Sequence, residues 1–356
     1  MFQRSATVLI TGAGTVTCQS VIKGLRTQEE IDVTIVTVDA SRQVAGRYFS
    51  DYFYRVPRAG DPEFVPTLLG LCQAHEVRLL VPIVDYEFTA LSAARALFAA
   101  QGCLVAISAP EVIQCTNDKL ATYHFFQQHG FGTPHTWSGQ QARSHAAALP
   151  YPVFVKPAID GRSSLDCYKV DHADDLQIYL ERVPHALVQE YVDGPEYTAD
   201  ILADLQSAVH GVVVRERIET KGGVSYKGRT VYDEEMVREA VRMAPLLGLV
   251  GPANIQAFRR DDQLLFNEIN PRFSGALALT LAAGLNSPLL LLRIALGLPV
   301  PNMMNRTQVG LTMLRYWNEV FVDPAGVPIY PEYNLAPPLG RMPYAPTDAP
   351  ILRTAR

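Results

Sequence analysis

The run NIQAFRRDDQLLFNEINPRFSG, residues 254–275, carries the densest chemistry in the chain. Glu268 and Asn270 are two apart on a strand-like segment, so they face one side. The run reads as a hairpin turning at Asp261-Asp262, which brings Gln256 opposite them. One carboxylate and two amide oxygens make a hard-oxygen set suited to Mg²⁺, which completes its octahedron with substrate phosphates. Arg272 takes the next same-face position and suits an anionic group. Strict alternation places Leu265 and Ile269 together on the opposite, apolar face.

Other segments carry weaker signals. Lys156 ends the run VFVK, and Asp160-Gly161-Arg162-Ser163-Ser164 follows. A strand-end lysine can meet phosphate oxygens as a point charge, and a Gly/Ser loop can close over them with backbone N–H groups. An exposed hairpin with a solvated lysine fits the same letters. In VQEYVDGPEYTAD, Glu190 and Val192 precede a turn at Asp193-Gly194-Pro195 and Glu196 follows it. Backbone groups there could read an adenine edge and the carboxylate a ribose; an ordinary turn with surface acids is the alternative. Arg215 and Arg217 share a parity and so a side, with Lys221 and Lys227 beyond them. They border a substrate or form a solvated basic strand. Ser274 and Gly275 could turn the backbone toward a substrate. Asp85 and Glu87 end a strand at the carboxyl edge of a sheet, where open α/β folds bind ligands. A substrate amine or a helix N-cap accounts for them equally.

Gly12-x-Gly14 lies between a strand and a helix, with Asp39 ending the next strand. The third glycine of a dinucleotide fingerprint is missing. An NAD-type site, a plain strand-to-helix turn and a helix N-terminus holding a polar substrate all remain open. The eight histidines are dispersed and read as structural or surface residues.

These residues need elements to hold them. From TVLITGAG to CLVAIS, strands alternate with helices of about 12 residues, which implies βαβ units and a parallel sheet. YEFTALSAARALFAAQG reads as one helix. From about residue 110 the texture becomes strand-rich with longer helices, an α+β pattern. VSYKGRT reads as loop, and Ala276–Leu292 as two buried helices separated at Gly284–Pro288, not a membrane span. Asp323–Pro350 holds eight prolines and suits neither a central strand nor a long helix.

The 356 residues allow two or three domains. With 48% apolar and 19% charged residues the chain can bury a core. A net charge of −5 gives no overall nucleic-acid footprint. Five scattered cysteines without a CxxC pair, and no signal-peptide pattern, point to buried thiols in the cytoplasm.

Taken in order, these segments, with NDKLATYHFFQQHGFGTP before them, resemble the ATP-grasp superfamily, in its carbamoyl-phosphate-synthetase-like branch of stand-alone ligases. The similarity spans roughly residues 5–300. It implies an α/β fold in which a Rossmann-like pre-ATP-grasp domain (1–110) precedes a two-lobed α+β ATP-grasp domain. That domain comprises a small lobe (111–185) and a C-terminal lobe (186–322), followed by a proline-rich tail (323–356).

The resemblance also implies an activity. An ATP-dependent carboxylate–amine ligase would charge a small-molecule acid as an acyl phosphate and join it to an amine, giving an amide or peptide-like bond, ADP and phosphate. Carried over, Lys119 and Lys156 hold ATP phosphates, and Gly161, Arg162, Ser163 and Ser164 form the loop over them. Glu190 and Val192 are the adenine hinge and Glu196 the ribose acid. Gln256, Glu268 and Asn270 hold Mg²⁺, for which Mn²⁺ can substitute, and Arg272 with Lys156 supplies the catalytic charge. Arg215, Arg217, Ser274, Gly275 and Glu87 are substrate candidates. Gln256 stands where a carboxylate is common, which weakens a second Mg²⁺ site. One ATP-grasp unit and no glutaminase-like segment argue against a full carbamoyl-phosphate synthetase. No nucleic-acid or membrane partner is expected; dimers are common among similar enzymes. A silent ATP-binding sensor or scaffold, a kinase-like enzyme stopping at the acyl phosphate, and an NAD-dependent oxidoreductase are the rivals. The last leaves the Glu268 cluster unexplained.

Overall fold

The computed structural model describes residues 4–329 apart from 160, 162–164 and 317. The first domain is built from β1 (Ser5–Ile10), α1 (Val16–Arg26), β2 (Asp32–Asp39), β3 (Tyr52–Arg55), α2 (Phe64–Ala74), β4 (Val77–Val81), α3 (Phe88–Ala93), α4 (Arg95–Ala100) and β5 (Leu104–Val105). Its five strands are parallel, in the order β3-β2-β1-β4-β5. Val8, Leu9 and Ile10 are buried on both faces of the sheet, which explains the continuous apolar run of the central strand. Thr15 caps α1 by accepting from the Cys18 N–H at 3.1 Å. β3 has no clear sequence signal because it is a four-residue edge strand. The single helix expected after β4 is broken at Ala94.

Then come α5 (Pro110–Asn117), α6 (Lys119–Gln128), β6 (Thr136–Ser138), α7 (Gly139–Ser144), β7 (Val153–Pro157), β8 (Tyr168–Val170), α8 (Ala173–Arg182) and β9 (Ala186–Glu190). Strands β6-β9-β7-β8 form an antiparallel sheet, the small lobe. It is covered by Leu176 and Leu180 of α8 and Ala142 of α7. β9 thus belongs to the small lobe, although the boundary expected at 185/186 assigns it to the next one. Asp118 separates α5 from α6 and caps α6, accepting from the Leu120 and Ala121 N–H groups. Val112, Phe125, Phe126 and Phe131 pack into the core of the C-terminal lobe, so the start of the expected small lobe is shared with it.

The C-terminal lobe comprises β10 (Glu196–Ala203), β11 (Val209–Lys221), β12 (Val224–Thr230), α9 (Glu234–Leu247), β13 (Gly251–Arg260), β14 (Gln263–Asn270), α10 (Leu277–Ala282), α11 (Ser287–Ala295) and β15 (Thr312–Leu314). Its sheet runs β14-β13-β10-β11-β12-β15, antiparallel throughout. β12, expected as loop, is a strand. Gly222 and Gly223 both take positive φ and close a hairpin between β11 and β12. Asp261 and Asp262 do the same between β13 and β14, at the turn the sequence indicates.

One face of this sheet buries Ala199, Ile201, Val212, Val214 and Ile255 against Met236, Ala240 and Met243 of α9. The other carries Leu202 and Val213 into a core shared with Phe273, Leu277, Leu291 and the β1, β2 and α1 residues of the first domain. Here α1 runs against the α10–α11 junction. A Cβ on Gly24 would lie 2.9 Å from the Asn286 Oδ1, and the Asn286 Nδ2 donates to the Gly24 carbonyl at 2.7 Å. β16 (Phe321–Val322) and β17 (Pro328–Ile329) form a small hairpin across the expected start of the tail. Residues 330–356, most of that tail, lie outside the described residues. Among the described residues no helix is long and apolar enough to cross a membrane.

Candidate active site

The polar side of the C-terminal sheet is a patch ordered by strand register. Gln256 on β13 lies directly opposite Glu268 on β14, and Asn254 opposite Asn270. On the next strand Thr198 sits between Gln256 and Arg215. The oxygen set expected from sequence, Gln256, Glu268 and Asn270, is therefore brought together. Asn254, buried beside it, donates to the Asn270 and Arg272 carbonyls at 3.4 and 3.2 Å. Its Oδ1 accepts from the Asn270 Nδ2 at 3.3 Å. The Glu268 carboxylate makes no hydrogen bond or ion pair among the described residues. Among those residues no group of three His, Cys, Asp or Glu converges, so one carboxylate with amides is the oxygen set available.

Strict alternation fails on β14. The register shifts opposite Gln256 and Ala257, leaving Asn267 as an extra residue, a β-bulge. Leu264, Phe266 and Ile269 consequently share one core, rather than Leu265 and Ile269 sharing a face. The bulge turns Asn267 toward the small lobe, where its Oδ1 accepts from the Lys156 ammonium at 2.9 Å.

Lys156, at the end of β7, is 5% exposed. Its second partner is the Gln189 Oε1 at 2.9 Å. Burial pushes its pKa down to about 8, with Lys119 adding to the fall and Glu268 opposing it. Among the described residues the ammonium thus has two amide oxygens but no bonded carboxylate, a costly state for a buried cation. Lys119 is close by and donates to the Gly161 carbonyl at 3.2 Å. Arg162, Ser163 and Ser164 of the expected phosphate loop lie outside the described residues.

At the hinge, Glu190 closes β9 and its N–H bonds the His135 carbonyl at 2.8 Å. Burial works to raise its carboxyl pKa, but the paired Arg260 guanidinium outweighs this and holds it below the usual range. Its side chain is thereby committed to Arg260. Val192 is buried beyond it. Glu196 pairs with Arg217, and burial leaves its carboxyl pKa raised despite that partner.

The substrate candidates are placed less simply. Arg215 and Arg217 share a side, as their parity requires, but neither is free. Arg215 is buried against Asp200 at 3.3 Å and donates to the Ser225 Oγ at 2.9 Å. Arg217 also donates to the Gly223 carbonyl at 2.9 Å, and its Nε is buried without a partner among the described residues. Asp200 further accepts from Ser274 at 2.9 Å and Thr280 at 2.5 Å. Ser274 is thus part of a buried polar network, and Gly275 accepts at its carbonyl from Arg315. Lys221 and Lys227 lie outside, exposed and paired with Glu219. Glu87 is buried and accepts from the Thr11 hydroxyl; burial drives its pKa up to about 7. Arg272 pairs with Asp85 across the domain boundary, Nε to Oδ1 at 2.6 Å.

Sequence reasoning missed Asn267, Asn254, Gln189, Asp200 and Arg315. Asp200 was within reach, since it shares parity with Glu196 and Thr198 on β10. Asn267 was not, because the bulge reverses its parity.

The family described as ATP-grasp in the biosynthetic pathway with Ter operon matches residues 182–316, and the PylC-like N-terminal domain matches residues 8–106. The vancomycin/teicoplanin A-type resistance protein VanA of Enterococcus faecium is 28% identical over 203 residues, 49% of this chain and 59% of VanA. The match thus spans under two thirds of that relative. The carbamoyl-phosphate synthase of Methanobrevibacter smithii is 24% identical over 287 residues, 74% of this chain and 77% of that protein. Among solved structures, the biotin carboxylase of Campylobacter jejuni, determined as a β,γ-ATP complex, superposes with a TM-score of 0.68. It is 14% identical and covers 86% of this chain and 74% of its own.

Proposed function

We propose that this chain, which belongs to the ATP-grasp superfamily, is an ATP-dependent carboxylate–amine ligase that charges a small acid as its acyl phosphate and couples it to an amine. The observation that carries the reading is Lys156: a buried ammonium between the two lobes, bonded to amide oxygens and beside the Glu268 carboxylate, which has no partner among the described residues. A cation held in that way gains most from an anion arriving in the cleft, and a carboxylate facing it gains most from a divalent ion.

The residues fit the nucleotide and its metal. Lys119 and Lys156 would take phosphate oxygens, and Glu268, Gln256 and Asn270 would hold Mg²⁺, which neutralises charge on the transferring group. Val192 and Glu196 would take the base and ribose. Carboxylates are poor acyl donors because oxide is a poor leaving group. Phosphorylation supplies a good one, and the protein's part is positioning and charge neutralisation. No protein nucleophile is needed.

The test is ADP and phosphate release from Mg-ATP with a panel of carboxylic acids and amines. Release should require both members of one pair. Glu268→Ala should lose on the order of 2.7–4 kcal/mol of transition-state stabilisation, a rate loss of roughly a hundredfold to a thousandfold. A chain that ignores adenine nucleotides, or a Glu268→Ala variant at full rate, would sink the proposal.

A further inference from the structure

We propose that Asp85 is the positioning residue for Arg272, so that the N-terminal domain aims the arginine of the C-terminal lobe. The inference rests on the reading above, in which Arg272 meets the transferring group. The two residues are 187 apart in sequence and belong to different domains.

Donor accounting favours positioning over blockade. A guanidinium has five N–H donors in a planar fork. The Arg272 Nε donates to the Asp85 Oδ1 at 2.6 Å and Nη2 to Oδ2 at 3.4 Å. Nη1 donates to the Phe273 carbonyl at 3.2 Å. Among the described residues Asp85 therefore takes one edge of the fork and leaves one N–H on each terminal nitrogen for an incoming anion. The side chain is held, yet its anion-binding end is not consumed.

Both ends of this contact are fixed. Asp85 begins a single turn closed by the Glu87 N–H to the Val84 carbonyl at 2.9 Å. The Glu87 carboxyl bonds the Thr11 hydroxyl, whose oxygen accepts from the Ile83 N–H at 2.9 Å. That ties the turn to the first strand of the domain. On the other side the Arg272 N–H bonds the Asn270 carbonyl at 2.8 Å, and Asn254 bonds the Arg272 carbonyl. The main chain of Arg272 is pinned, but a long side chain keeps several rotatable bonds, and Asp85 removes that freedom. The pair is partly exposed, 23% and 24%, so it adds little to folding and can be altered without unfolding the chain.

The experiment compares Asp85→Ala, Asp85→Asn and Asp85→Glu in the full chain. Asp85→Ala should lower kcat for coupled ADP release on the order of tenfold to a hundredfold, as for other small misplacements of a reacting group. KM for ATP and Mg-ADP affinity should stay within about threefold of wild type, because the effect belongs to the reacting step. Asp85→Glu should recover part of the loss, and Asp85→Ala should add little in an Arg272→Lys background. A kcat within about twofold of wild type, a higher kcat, or full additivity with Arg272→Lys would overturn the proposal. A readout without turnover is the exchange of the Arg272 Nε–H with solvent by NMR, assigned through Arg272→Lys. It should be slow in wild type and fast in Asp85→Ala; fast exchange in wild type overturns the proposal. Should wild type release no ADP with any pair, the ligase reading fails, while the exchange rate still decides whether Asp85 orders Arg272.

Discussion

A buried lysine costs stability, and Lys156 is where this chain tolerates that cost. Its pKa falls from 10.5 to about 8, chiefly through burial. For a cation whose folded pKa is depressed, the penalty is absent above the unfolded value, grows as pH falls from the unfolded value toward the folded one, and is full below the folded one. Lys156→Met should therefore gain most, relative to wild type, below pH 8, and the gain should shrink as pH rises toward 10.5. Denaturant titrations at pH 7 and pH 10 measure this; a gain independent of pH would show that the ammonium is not buried. The same variant should bind Mg-ADP about tenfold to a hundredfold more weakly, the ~1.5–3 kcal/mol of a hydrogen bond to a charged group. A more stable protein that binds its ligand worse is the mark of a functional rather than a structural lysine.

At the scale of elements, the turn between β9 and β10 and the bulge in β14 decide how the two lobes present their groups. Gly194 lies so close to β13 that a Cβ would come within 2.2 Å of the Arg259 carbonyl oxygen. The Arg259 N–H bonds the Pro195 carbonyl at 3.1 Å, so the two backbones cannot part cheaply. Gly194→Ala should cost about 1–3 kcal/mol, as overpacking does, and should raise KM for ATP by moving Glu196. Urea unfolding and steady-state kinetics test the two halves; an unchanged midpoint would mean the turn has room. The hairpin at Asp261-Asp262 and the two-residue spacing of Glu268 and Asn270 were legible from alternation and turn letters. The Asn267 bulge was not, since one extra residue leaves no mark in composition and its position is fixed by pairing with β13.

At the scale of the molecule, the first domain and the C-terminal lobe are not independent. Leu202 and Val213 of the large sheet, Leu290–Leu292 of α11 and Val8, Ile10 and Ile35 of the parallel sheet form one core. Leu292 is fully buried in it. Leu292→Ala should destabilise by roughly 2–5 kcal/mol, and the first domain and C-terminal lobe should lose stability together. Hydrogen exchange resolved along the chain checks this: amides of β1 and of β10 should lose protection in parallel. Loss confined to the helix would show that the shared core does not couple them. That coupling also suits the cross-domain contact of Asp85 with Arg272, which needs both parts held in fixed register.

From its letters alone the chain determines local matters. Most of the order of strands and helices (β3, β12 and the break at Ala94 apart), the turns with glycine or paired aspartates, and the polar alternation of Glu268 and Asn270 follow from short-range sterics and side-chain parity. The tertiary structure alone decides which cations are free and which are already paired. Among the described residues Arg215 meets Asp200, Arg217 meets Glu196, Arg272 meets Asp85, and Lys156 meets only amides. Charge pairing depends on distances between strands and domains far apart in sequence, and no local pattern encodes those distances.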